Sequence, residues 1–286
     1  MKKVLALFLA ITIVGTLANS SQALKQSSFK GENPLRLVSL SPAITETLFA
    51  LGLGAEIVGV TTYCKYPKAA EEKEKIGGFL DPNLEKIVYL KPTHVFSESW
   101  PSSKTVPRLK QFQLNVVETL SPHSISEVFL FMEEVGKAVE QKEATVHLVS
   151  KMEKQLRKIK KKQREFSRRP TIYIEIASPT WTVGKKSFVT EALFITGAKN
   201  IFSDVELPAL QASKEVIVQK NPEIIISFAA KKEEIEKRPG WKNIQAVQRG
   251  NIIDDFPQEL LSHGNHRLIE GMEQFQKRLA LIMENY

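Results

Sequence analysis

Asp81-Pro82-Asn83-Leu84-Glu85-Lys86-Ile87-Val88-Tyr89-Leu90-Lys91-Pro92-Thr93-His94-Val95-Phe96 decides the fold, because the chain repeats its pattern. The second copy is Gln211-Ala212-Ser213-Lys214-Glu215-Val216-Ile217-Val218-Gln219-Lys220-Asn221-Pro222-Glu223-Ile224-Ile225-Ile226. Each opens on a polar capping residue, Asn83 or Ser213, and carries a Glu two positions on. A short apolar-periodic stretch follows, then a polar residue and Pro, then a β-rich apolar run. That pattern predicts a capped short helix, a tight turn and a buried strand. Its recurrence in different halves predicts two similar α/β lobes, each with one Glu at the start of an exposed helix. A two-lobed chain holds ligands between its lobes.

The flanking sequence extends this reading. Arg36 to Leu40 is expected to be a strand, and Ser41-Pro42 starts a helix that stops at Gly52 or Gly54. Ile57 to Val60, His94 to Ser97 and Asn115 to Val117 complete the strands of the first half. Thr171 to Ile176, Ile224 to Phe228 and Ile252 to Asp254 are their counterparts in the second. Strands alternating with helices mean parallel βαβ units. Between the halves, Ser126 to Arg168 reads as helix, broken once near Glu140 to Glu143, and suits a rigid strut. A final helix is expected from His266 to Asn285. The domain reading is a leader over 1–23, a linker over 24–34, an N-terminal lobe over 35–122, a helical segment over 123–168 and a C-terminal lobe over 169–286.

Composition is that of a globular protein, with 42% hydrophobic and 25% charged residues. Lys2-Lys3, the apolar run from Val4 to Leu17 and Ser21-Gln22-Ala23 form the pattern of a cleavable export signal. The run is short of the ~20 residues that span a bilayer. Export to a periplasm, with cleavage near Ala23, is the expectation. Cys64 is the one cysteine, so an internal disulfide is excluded, and a buried, inert thiol is expected. The net charge of +8 owes much to Arg157 to Arg164, which lacks the stacking aromatics of nucleic-acid platforms. It reads as a solvated helix face, and no nucleic-acid partner is expected.

No nucleotide-binding glycine motif, nucleophile elbow or His-Glu-x-x-His occurs, so no catalytic residue is assigned. No metal site is assigned either: of the His residues only His263 and His266 lie close together, and capping or surface roles are their default. Aromatics are better placed. Tyr63, Tyr66, Phe79, Trp100 and Trp181 fall in loops beyond predicted strands, where open α/β sheets bind ligands. Such rings suit a large, flat, partly apolar ligand.

Val38-Ser39-Leu40-Ser41-Pro42-Ala43-Ile44-Thr45-Glu46, Thr62-Tyr63-Cys64-Lys65-Tyr66-Pro67 and Gly77-Gly78-Phe79-Leu80-Asp81-Pro82 together resemble the N-lobe of cluster-III substrate-binding proteins of ABC importers. Trp181 to Lys185, Ala198 to Phe202 and Trp241 to Val247 extend the resemblance over nearly the whole mature chain. Vitamin B12-binding proteins are the nearest in pattern. The resemblance implies two Rossmann-like lobes with parallel sheets, joined by one long rigid helix, with small closure on binding. It implies a monomer without a cofactor of its own, working with a permease dimer and its ATPase. Glu85 and Glu215 match the acids that meet Arg-rich permease pockets, a pairing that suits bidentate geometry. Tyr63 matches an aromatic of the vitamin pocket. Phe79 and Ala209 stand where the relatives have Trp. Asp254-Asp255-Phe256 and Arg267 match a ligand-contacting loop. The implied ligand is a corrinoid. Haem, with Tyr63 or His263 as axial ligand, and a ferric siderophore, with Arg267 meeting its charge, are the alternatives.

Overall fold

The structure is a computed structural model and describes residues 34–99 and 104–284. The expected leader at 1–23, almost all of the linker and Trp100 lie outside the described residues.

The N-terminal lobe runs β1 (Leu37–Ser39), α1 (Pro42–Ala50), β2 (Ile57–Val60), α2 (Lys68–Glu71), α3 (Leu84–Tyr89), β3 (His94–Ser99), α4 (Thr105–Gln111) and β4 (Val116–Leu120). Two helices follow, α5 (Ile125–Ala138) and α6 (Lys142–Gln163). The C-terminal lobe contains β5 (Thr171–Glu175), β6 (Trp181–Val183), α7 (Phe188–Thr196), β7 (Lys199–Asn200), β8 (Ala209–Gln211), α8 (Lys214–Lys220) and β9 (Ile224–Ser227). It ends with α9 (Lys232–Glu236), a 3-10 turn at Trp241–Asn243, α10 (Gln245–Gln248), β10 (Ile252–Ile253), α11 (Gln258–Ser262) and α12 (Leu268–Glu284).

Both four-stranded sheets are parallel and share one connectivity. Their orders are β2-β1-β3-β4 and β7-β5-β9-β10, so in each lobe the third strand returns to the far side of the first. The repeated segments form α3 with β3 and α8 with β9. The Asn83 side chain accepts from Lys86 N at 2.9 Å, and Ser213 Oγ accepts from Val216 N at 3.2 Å. Each helix stops where a residue takes positive φ just before Pro: Lys91 at 46° and Asn221 at 45°. Ile87 and Ile217 face the two cores, while Glu85 and Glu215 are exposed.

The helical segment breaks where expected. Glu140 has φ 56°, and the Gln141 amide returns to Gly136 O at 2.8 Å. The helices pack closely there: a Cβ on Gly136 would lie 1.9 Å from Thr145 Oγ1. α6 has 22 residues and spans about 33 Å. It buries Thr145, Val149, Met152, Leu156 and Ile159, a narrow stripe of alternating four- and three-residue steps. Its basic residues from Arg157 to Lys162 are exposed, as a solvated face requires.

The stripe on α6 belongs to a core that spans both lobes. Leu37, Ile44 and Phe96 from the first half join Ala192, Leu261, Leu268 and Met272 from the second through α5 and α6. Polar links cross the same junction. Glu191 of α7 accepts from Ile125 N at 2.7 Å, capping α5 from the opposite lobe. Buried Gln276 of α12 donates to Ile159 O at 3.0 Å and Thr196 O at 3.3 Å.

Three stretches depart from a simple reading of their local pattern. Trp241 to Val247 is two short elements, because Ile244 adopts an extended conformation between them. The last helix starts at Leu268, since Asn265 Oδ1 accepts from Arg267 N at 2.8 Å and holds a loop there. β8, which has no hydrophobic run of its own, pairs antiparallel with β6.

Candidate functional site: a cleft between the lobes

Parallel strands gather their carboxyl ends on one side, and a cleft of about 620 Å³ lies there. Ser41 follows β1, Tyr63 lies just beyond β2, Glu98 is near the end of β3 and Ser121 follows β4; all four line the cleft. Phe79, Leu80 and Asp81 add to the N-lobe wall, while Phe188, Ser262, His263 and Gly264 form the C-lobe wall. A second cavity of about 300 Å³ shares Ser121, Pro122, Phe188 and Ser262 with the first and continues along Ile176, Val183 and Ala209. The site occupies the strand-reversal crevice typical of open α/β sheets.

Polar groups in the cleft are held from behind. Ser41 Oγ accepts from Ala43 N at 3.2 Å as the cap of α1, and it donates to Glu98 Oε1 across the gap between β1 and β3. Ser121 Oγ donates to the other Glu98 oxygen at 2.8 Å. Glu98 was not singled out from the sequence: within His94 to Ser99 it reads as an acid on a strand, and only the sheet order places it at the reversal point. Beneath Ser41, Thr45 Oγ1 contacts Ser39 Oγ at 2.8 Å and Cys64 Sγ at 3.1 Å. Cys64 is buried, and burial raises its thiol pKa.

A buried polar cluster joins the lobes behind the His263 wall of the cleft. Glu46 of α1 is 2% exposed and receives three groups from the loop between α11 and α12. His263 Nδ1 lies 2.9 Å from Oε1, Asn265 Nδ2 2.9 Å from Oε2, and an Arg267 guanidinium nitrogen 3.4 Å from Oε2. The Arg267 guanidinium stacks 3.6 Å from the Tyr66 ring centroid. From the sequence, Glu46 reads as a helix-dipole acid; in the structure it ties the lobes together. A buried charge needs partners of this kind.

Tyr63, Phe79 and His263 therefore come together in the cleft. Tyr63 is 62% exposed at the mouth. Arg267 is committed to Glu46 and Tyr66. Asp255 is exposed and pairs with Arg278 at 3.2 Å. Trp181, 40% exposed on β6, lies outside the linings of both cavities. Ala209 lines the smaller cavity. Glu215 keeps its carboxyl below the usual range, first through its own backbone amide and then through Ser213. Among the described residues, no group of three or more His, Cys, Asp or Glu is placed to hold a metal ion. No helix among them is long and apolar enough to cross a membrane.

Two parallel-sheet lobes, a shared helical spine and a cleft at the strand ends define a two-lobed binding protein. The chain belongs to the periplasmic binding protein family, whose model matches residues 37–259. It is 33% identical over 256 residues to an uncharacterised ABC transporter substrate-binding lipoprotein, YvrC, of Bacillus subtilis (strain 168), covering 87% of this chain and 81% of that one. It is 24% identical over 248 residues to a vitamin B12-binding protein of Vibrio parahaemolyticus, covering 84% of this chain and 89% of the relative. A possible iron-binding periplasmic solute-binding protein from Staphylococcus epidermidis superposes with a TM-score of 0.72 at 29% identity, over 85% of this chain and 98% of its own. Members of this family bind substrates for ABC importers and work with a membrane permease and an ATPase; they are not enzymes.

Proposed function

We propose that this chain is an exported receptor that captures a corrinoid in the interlobe cleft and delivers it to an ABC permease dimer. The observation that carries this reading is the cleft: two adjoining cavities that share lining residues, with Tyr63, Phe79 and Phe188 offering rings to a broad, flat ligand. Similarity to vitamin B12-binding proteins over most of both chains supports the corrinoid. Haem or a ferric siderophore is the second reading. It draws on a structural neighbour that is a possible iron-binding protein and on an imidazole, His263, in the cleft wall. Native mass spectrometry of the protein with cobalamin, haem and ferric siderophores decides among them. Cobalamin is expected to bind at micromolar concentration or below, and its failure to do so overturns the first choice.

Docking is proposed to use Glu85 and Glu215. They occupy the same position of equivalent helices in the two lobes, both exposed, with the spine fixing the distance between them. The double variant Glu85→Ala with Glu215→Ala is expected to retain ligand affinity. Its binding to the reconstituted transporter should weaken by about tenfold or more, ~1.4 kcal/mol at least. Normal uptake by the double variant rules out this role.

A further inference from the structure

Charge on the cleft wall is one-sided. Among the described residues that line the larger cavity, Asp81 and Glu98 are acids, and there is no Lys or Arg. The one His of that lining, His263, has Nδ1 2.9 Å from Glu46 Oε1, so it serves a carboxylate of the protein itself. Asp81 is exposed, whereas Glu98 is half-buried near the carboxyl end of β3.

The Glu98 carboxylate is fixed in place without being neutralised. Ser41, just after β1, donates to Oε1, and Ser121, just after β4, donates to Oε2 at 2.8 Å. β1 and β4 flank β3 in the sheet, so the two hydroxyls grip the carboxylate from both sides, and both Ser residues line the same cavity. Among the described residues, the polar partners of this carboxylate are those two hydroxyls and no cation. A carboxylate has about four lone-pair sites, so each oxygen keeps room for a further donor. A ligand that covers Glu98 strips it of water and has to supply an N–H or a positive charge in exchange. A ligand that brings a carboxylate to the same place sets two like charges together in a partly desolvated cleft, which costs affinity.

Resting on the corrinoid reading above, we infer that Glu98 is a specificity-determining residue. It accepts hydrogen bonds from amide N–H groups on the rim of the bound macrocycle and disfavours rings that carry carboxylates there, with Ser41 and Ser121 as its positioning residues. The two tetrapyrroles considered for the cleft differ at their rims: a corrinoid bears primary amides, and haem bears two propionates.

The test uses the full mature chain with cyanocobalamin and its three monocarboxylic acids, in each of which one rim propionamide is hydrolysed to a carboxylate. Isothermal titration calorimetry reads the affinities. Wild type is expected to bind at least one of the acids about tenfold or more weakly than cyanocobalamin. Glu98→Gln keeps the size of the side chain and removes its charge. It should bind cyanocobalamin more weakly and the disfavoured acid more tightly, closing the gap to about threefold or less. Movement in opposite directions separates a charge effect from a distorted cleft, which would weaken both ligands alike. Equal binding of cyanocobalamin and all three acids by wild type overturns the inference without recourse to a variant and leaves the corrinoid reading standing. So does a gap that persists in Glu98→Gln, or a loss of affinity there that is the same for both ligands. Failure of wild type to bind cyanocobalamin overturns the corrinoid reading and the inference with it.

Discussion

His266 sits beside the Glu46 cluster with Nδ1 buried and unpartnered, and burial pushes its pKa below the ordinary 6.5. The unfolded chain therefore binds a proton at a higher pH than the folded one does. Stability from neutral His266 is present in full above pH 6.5 and is lost as pH falls through the depressed folded value. Urea unfolding of the wild type should show a falling midpoint on this acid side, and His266→Gln should flatten the fall. An identical slope in the variant excludes His266 as the cause. The surrounding cluster was invisible in the sequence. Glu46 and His263 are 217 positions apart, and neither carries a local signal for the other. The family resemblance gives Arg267 and Asp255 as ligand contacts; in the structure each also has a charged partner, Glu46 or Arg278, that no local signal reports.

At the scale of elements, local signals are strong. Asn83 and Ser213 cap their helices through their own side chains, Pro92 and Pro222 follow the stops, and Gly197 closes α7 at φ 115°. The short elements were harder. β8 takes its extended form from pairing with β6, which no periodicity within Ala209–Gln211 reports. The α5–α6 corner combines both kinds of information. The absence of a side chain at Gly136 lets Thr145 approach, while Thr145 Oγ1 also donates to Gln141 O at 2.7 Å. Gly136→Ala should force the helices apart or turn Thr145 from its rotamer, costing about 1–3 kcal/mol. Calorimetry that finds the variant as stable as the wild type would mean the corner relaxes freely.

For the molecule as a whole, the spine sets how far the lobes can move. α6 is covalently continuous, packed along its stripe and joined to α12 through Gln276. Glu46 and Glu191 cross the junction from opposite sides. Large hinge closure would have to strip buried polar groups of their partners, which costs about 1–3 kcal/mol for each one. Small-angle scattering is expected to give the same radius of gyration with and without ligand. A clear contraction on loading would show that the junction opens and recloses.

The core running through both halves has one more consequence. Two segments with the same strand connectivity invite the idea that each half is an autonomous module. Yet Ala192, Leu261, Leu268 and Met272 are covered by α5 and α6, and those helices are covered in turn by them. Cutting the chain after Gln163 would leave both fragments with an open apolar wound. Neither half should survive alone, and the intact chain should melt in a single step. Whatever ancestry the halves share, they have become mutually obligate.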